Sequence, residues 1–229
     1  MKVRHFFFII IFILASAPLL FSQNIKVGVG GGYAYIDNDT YYTRDVESNY
    51  SDFQLGLRNC YVINGKIRYE HEKIPIRFTC EVTFISVTNN VDYLGYYSPL
   101  QSSPSKMHLD ASQDIYSIGF GIESPIIKSS ITPYSSLGVV LNYFDKTEIV
   151  RTPKPDPILN GDKSMISNSV RAGLNMGFGL DYLIFEKISL DISAKYSFMN
   201  LLGKRNFPHE EKEENFNTFS ITASVLYNL

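Results

Sequence analysis

The sequence predicts an all-β fold, an eight-stranded antiparallel up-and-down transmembrane β-barrel over residues 24–229, preceded by a signal peptide at residues 1–23. Three observations carry this reading. Apolar and polar residues alternate with a period of two in eight separate stretches, the pattern of strands with one apolar and one polar face. Beyond the N-terminal segment no apolar run approaches the ~20 residues a membrane helix needs, so a spanning chain must satisfy its backbone as a closed barrel. Within the eight stretches, every charge falls on the polar face.

Lys2 and Arg4 precede an apolar run from Phe6 to Leu20, interrupted only by Ser16 and Pro18, and Ser22 and Gln23 follow it. That is the order of a secretory signal peptide, too short for a spanning helix. Cleavage is expected after Ser22 or Gln23, because Pro18 would hinder a peptidase at Ala15-Ser16-Ala17.

The first strand is read at Ile25–Tyr35, with Ile25, Val27, Val29, Tyr33 and Tyr35 facing out and glycines and Ala34 facing in. Strand two runs Tyr61–Glu70, strand three Ile76–Val87, strand four Tyr116–Glu123 and strand five Pro133–Tyr143. Strand six, Asn168–Tyr182, keeps its alternation through Val170, Ala172, Leu174, Met176, Phe178 and Leu180, and strand seven is Ile188–Phe198. The last strand, Thr218–Leu229, puts Phe219, Ile221, Ala223, Val225, Tyr227 and Leu229 on one face; Leu226 alone breaks the other. Connections alternate between short (His71–Pro75, Ser124–Thr132, Leu183–Lys187) and long (Asp37–Cys60, Thr88–Ile115, Phe144–Ile166, Gly203–Asn217). Short periplasmic turns and long outer loops are the outer-membrane pattern. Tyr69, Phe78, Tyr182 and Tyr227 fall near the short-turn ends, and Tyr35, Tyr61, Phe84, Tyr116, Tyr143, Phe198 and Phe219 near the long-loop ends, as two interfacial girdles require.

On Ile25-Lys26-Val27-Gly28-Val29-Gly30, Thr132-Pro133-Tyr134, Gly173–Tyr182 with Ile188–Tyr196, and the terminal strand, the chain resembles the eight-stranded outer-membrane β-barrel family of the OmpA, OmpX and OmpW type. The resemblance is to the barrel alone, without a peptidoglycan-binding domain, and Leu229 stands where the family usually has phenylalanine. It implies a place in the outer membrane of a Gram-negative-type bacterium after Sec-dependent export. It also implies contact with outer-membrane lipid and lipopolysaccharide, handling by the secretion and barrel-insertion machinery, and a monomer. The outward residues of the last strand would form the C-terminal insertion signal.

Function is less legible. A formal charge of −2 gives no footprint for nucleic acid. The glycines at 28 and 30–32 are followed by no amphipathic helix, which argues against a dinucleotide loop; they relieve crowding in a narrow barrel. His71, His108 and His209 sit in connections with no serine two residues on, as the barrel lipid A deacylases would have, so neither catalysis nor a cofactor or metal is expected. Cys60 and Cys80 lie on opposite faces and are expected to stay free thiols.

Inward charges either line a pore or pair with one another. Eight strands enclose a space that side chains can just fill, and pairing about His71–Pro75 places Glu70 opposite Arg77 and Lys66 opposite Glu81. A structural ion-pair network in the lumen is therefore expected from Lys66, Arg68, Glu70, Arg77, Glu81, Glu123, Arg171, Asp181, Asp191 and Lys195. Tyr41, Tyr42 and Tyr50 in the first long loop, and Tyr93, Tyr96 and Tyr97 in the second, are candidates for surface contacts. The reading is a barrel with a polar, largely plugged interior and a structural or surface-interaction role through its outer loops. The alternatives are a narrow OmpW-like channel for small or apolar solutes, a lipid-modifying enzyme, and a soluble barrel.

Overall fold

Ten strands form one sheet in the computed structural model, which describes residues 25–38, 59–71, 74–95, 105–127, 129–154, 162–166, 168–204 and 215–229. They are β1 (Ile25–Asn38), β2 (Asn59–Glu70), β3 (Arg77–Gly95), β4 (Ser105–Pro125), β5 (Ile131–Phe144), β6 (Thr147–Lys154), β7 (Asp162–Ile166), β8 (Ser169–Phe185), β9 (Ile188–Leu202) and β10 (Asn217–Asn228). Eight of them close a ring, each antiparallel to its neighbours, in the order β3-β2-β1-β10-β9-β8-β5-β4 and back to β3. The first and last strands zip along almost their whole length, from Lys26 opposite Asn228 to Tyr35 opposite Phe219. Closure removes every free edge within the ring, so its backbone can cross hydrocarbon.

The ring is apolar outside and polar or packed inside. Val29 and Phe178, both on the outer face, are 71% and 70% exposed, values no water-soluble barrel would give its mid-strand apolar residues. The outer-face residues of β10, including Phe219, Ile221, Val225 and Tyr227, are exposed in the same way, as is Leu229 just after the strand. Aromatic rings mark both borders of this belt. Tyr69 stacks on Phe78 near the short turns, and Phe84, Tyr116 and Tyr143 form a run of neighbouring rings at the long-loop end. Glu70 pairs in register with Arg77, Lys66 with Glu81 and Cys80 with Ile67, as the turn length dictates.

The outer connections are more structured than their composition suggests. The 88–115 segment is mostly strand: β3 and β4 stay paired from Arg77 opposite Glu123 out to Gly95 opposite Ser105. Strand four thus starts at Ser105, not Tyr116. Within the 144–166 segment, β6 and β7 pair antiparallel, from Thr147 opposite Ile166 to Arg151 opposite Asp162. β5 leaves β4 at Ile115, and β6 takes its place along Lys106–Ser112, with β7 outside it. A four-stranded sheet, β3-β4-β6-β7, therefore rises from one side of the ring.

Residue size alternates across strands where the interior is narrow. Leu226, the one break in the last strand's polar face, is fully buried inside, opposite Gly28; a Cβ there would lie 2.3 Å from the leucine Cδ2. Tyr134 likewise lies over its partner Gly179, where a Cβ would come within 2.3 Å of the ring. Large against small fills an eight-stranded interior without strain.

Candidate functional site

The lumen is stratified. Its short-turn half holds a cluster of charges contributed by six of the eight ring strands, because inward positions near the strand ends of a narrow barrel point at one another. Lys66 Nζ lies 2.6 Å from both Glu123 and Asp191. Arg68, with no exposed surface, reaches Glu123 at 2.7 Å, Asp181 at 2.9 Å and Asp191 at 3.2 Å through its three nitrogens. Arg77 pairs with Glu70 at 3.0 Å and Asp181 at 3.3 Å, and Lys26 with Asp181 at 3.1 Å and Glu70 at 3.4 Å. The Tyr134 hydroxyl donates to Asp191 at 2.6 Å, and its ring sits 5.2 Å from the Arg68 guanidinium and 5.3 Å from Lys66 Nζ. Four cations (Lys26, Lys66, Arg68, Arg77) meet four carboxylates (Glu70, Glu123, Asp181, Asp191), so the cluster is neutral. Neutral pairing is what a buried charged group needs to persist.

Above this plug Lys195 pairs with Glu81, which also accepts from Asn64 at 3.0 Å. A cavity of about 50 Å³ lies beside the pair, lined by Ser117, Asn175, Thr218 and Thr222 among others, with room for a few waters. A smaller space of about 20 Å³ lies near Thr79, Gly121 and Ser136.

At the long-loop end the interior turns apolar. Ala34, Ile36, Cys60, Val62, Ile85, Val87, Ala111, Ile115, Phe144, Met199 and Phe216 form a buried core inside the ring. Phe216 precedes β10 and is drawn inward by two backbone anchors: its N–H donates to Asn200 Oδ1 at 2.7 Å, and its carbonyl accepts from Met199 N–H at 2.8 Å. Its ring meets Phe144 edge-on at 5.2 Å. The interior is thus not polar throughout; side chains that a polar-lumen reading treats as outer-loop flanks seal the mouth instead.

Of the expected network, the structure brings Lys66, Arg68, Glu70, Arg77, Glu123, Asp181 and Asp191 together and sets Glu81 with Lys195 just above them. Arg171 stands elsewhere. It is at the outer end, its guanidinium 4.0 Å over the Phe144 ring and its Nε donating to Ser169. Lys66 faces Glu81 in register but bonds Glu123 and Asp191 across the lumen. Tyr134 and Lys26 are network members that sequence reasoning did not assign. The inward phase of both was readable, but the reach across the barrel was not. Cys60 is buried in the outer core, Cys80 is on the lipid face, and neither forms a disulfide. The signal peptide, Tyr41, Tyr42, Tyr50, Tyr96, Tyr97, His209 and the Glu210–Glu214 block lie outside the described residues; Tyr93 falls within β3. Among the described residues, no group of His, Cys, Asp and Glu is placed to hold a metal ion.

No family model matches the chain. No curated protein matches it either. Among solved structures, it is similar to the outer membrane protein OprG from Pseudomonas aeruginosa, with a TM-score of 0.50 and 17% identity over 90% of this chain and 96% of that one. Neisserial surface protein A matches with a TM-score of 0.48 and 17% identity over 90% and 97% of the two chains. Ail, the attachment invasion locus protein of Yersinia pestis, matches at 0.45 and 14% over 90% and 98%. At these identities the likeness is one of fold: a closed eight-stranded antiparallel barrel of the outer-membrane type. With a charge-free apolar belt between aromatic borders, the chain is an outer-membrane β-barrel protein in contact with lipid.

Proposed function

We propose that this barrel is a sealed, non-conducting platform that carries a β-sheet above the membrane for contact with other macromolecules. One observation carries the reading: β4 continues past the point where β5 leaves it and gathers β3, β6 and β7 into a sheet that the barrel does not need for closure. Among the described residues, β7 is the outermost strand of that sheet, and β3 has no partner on its other side beyond Thr88. Sheet edges offer rows of N–H and C=O groups that an extended segment of a partner can complete. The lumen supports the sealed part, with a charged plug below, an apolar plug above and only water-sized space between. The tyrosines of the first two outer loops, Tyr41, Tyr42, Tyr50, Tyr93, Tyr96 and Tyr97, are proposed to join the same contacts. The outward face of β10 serves the barrel-insertion machinery during assembly.

The test replaces residues 147–166 with a short Gly/Ser turn. The expected barrel still shows heat-modifiable migration and stays silent in planar bilayers, while adhesion of expressing cells to host-cell or matrix surfaces falls to background. Steady single-channel conductance from the unaltered protein would refute the sealed reading, and unchanged adhesion of the deletion would refute the role of the sheet.

A further inference from the structure

The apolar belt is not of even height. On β8 outward apolar residues run from Val170 to Tyr182 and continue to Ile184, which at ~3.3 Å per residue and the usual strand tilt is ~35 Å of membrane normal. On β2, across the ring, they run only from Tyr61 to Tyr69, or ~20 Å. The surplus lies at the short-turn end. The β4–β5 turn exposes Ile126 and Ile127, and the end of β8 exposes Leu183, Ile184 and Phe185. The exposed Glu186 and Lys187 of the β8–β9 turn follow directly, and Lys187 Nζ lies 5.8 Å over the Tyr227 ring toward β10. The two turns are neighbours, tied by a hydrogen bond from Leu183 N–H to the Ser130 carbonyl at 2.9 Å. Their apolar surface continues that of Ile122 on β4 and Leu180 on β8 without a charged side chain between them. Lys128 is the one charge in the sequence of the first turn, and a lysine stem can snorkel to headgroups. The opposite turn, between β2 and β3, carries His71, Glu72 and Lys73 in sequence.

We propose that this rim, Ile126-Ile127 with Leu183-Ile184-Phe185, is immersed in the acyl chains of the periplasmic leaflet, so that the barrel sits tilted with its β5–β8 side deeper. The rim joins the lipid-facing belt directly, which makes acyl chains its occupant; a rim left in water would expose five large apolar residues at one spot. A hydrophobic span that is taller on one side is accommodated by tilting or by local thickening of the bilayer.

The chain contains no tryptophan, so single substitutions give unique reporters. Phe185→Trp and Ile127→Trp probe the rim and Ile74→Trp the opposite turn, each refolded into phosphatidylcholine vesicles with or without bromine on the acyl chains, and with iodide on both sides of the bilayer. The expected result is several-fold stronger quenching by bromolipid at the two rim positions than at position 74, and the reverse order for iodide. Iodide quenching of the rim reporters equal to that at position 74 would overturn the proposal. So would protection from both quenchers, which would mean that protein, such as a second copy, covers the rim. Should one rim variant fail to fold, the other lies on a separate turn and reads the same surface.

Discussion

Replacing Arg68 with methionine tests the lumen plug most directly. Arg68 has no exposed surface, and the side chains of its partners Glu123, Asp181 and Asp191 are at most 4% exposed, so solvent cannot take over their charges. Arg68→Met leaves Glu70, Glu123, Asp181 and Asp191 facing only Lys26, Lys66 and Arg77. Removing one partner of a buried pair costs about 3–5 kcal/mol, and three carboxylates lose a partner here, so the upper half of that range is expected. Adding Glu123→Gln restores neutrality, three against three, and should return about 1–3 kcal/mol as a favourable coupling between the two sites. Urea unfolding in lipid vesicles, followed by heat-modifiable migration and circular dichroism, measures both. A single variant within about 1 kcal/mol of the unaltered protein, or a double variant no better than the single, would refute the view that charge balance holds the plug.

Two further outcomes follow from the same geometry. Gly179→Ala should cost about 1–3 kcal/mol by driving a methyl into the Tyr134 ring, and less in a Tyr134→Leu background, whereas Gly65→Ala, with nothing within 4 Å of the added carbon, should change stability by no more than about 0.5 kcal/mol in the same urea assay. Phe178→Lys, which places a cation on the lipid face of β8, should cost about 2–4 kcal/mol in vesicles; a neutral result would mean that this face does not meet acyl chains.

The eight ring strands were legible because lipid on one side and a packed interior on the other enforce a period of two. β6, β7 and the outer parts of β3 and β4 were not. That sheet extends past the aromatic border at Phe84, Tyr116 and Tyr143, beyond the ring that imposes alternation, and a stretch such as Thr88-Asn89-Asn90-Val91-Asp92 resembles a loop. Charges sorted correctly by face, since parity alone decides that. Their partners did not follow from parity. In a narrow ring the nearest opposite charge to Lys66 is on β4 or β9, across the lumen, and not on the strand beside it. The outer core escaped notice because Ile85 and Val87, or Ile36 and Cys60, look like lapses at strand ends until the ring shows them facing one another.

The charged plug also has an order in time. Lys26 and Arg68, on the first two strands, find Asp181 and Asp191 on β8 and β9, 113 to 155 residues later in the chain for the pairs with Asp181. These partners meet only once β1 has joined β10, because in an open sheet they lie on opposite flanks. An unclosed barrel would hold unmatched charges on both margins, and a closed one would have to strand them again to reopen. The cluster therefore acts as a latch for the seam, favouring completed closure during assembly and opposing lateral escape between β1 and β10 afterwards.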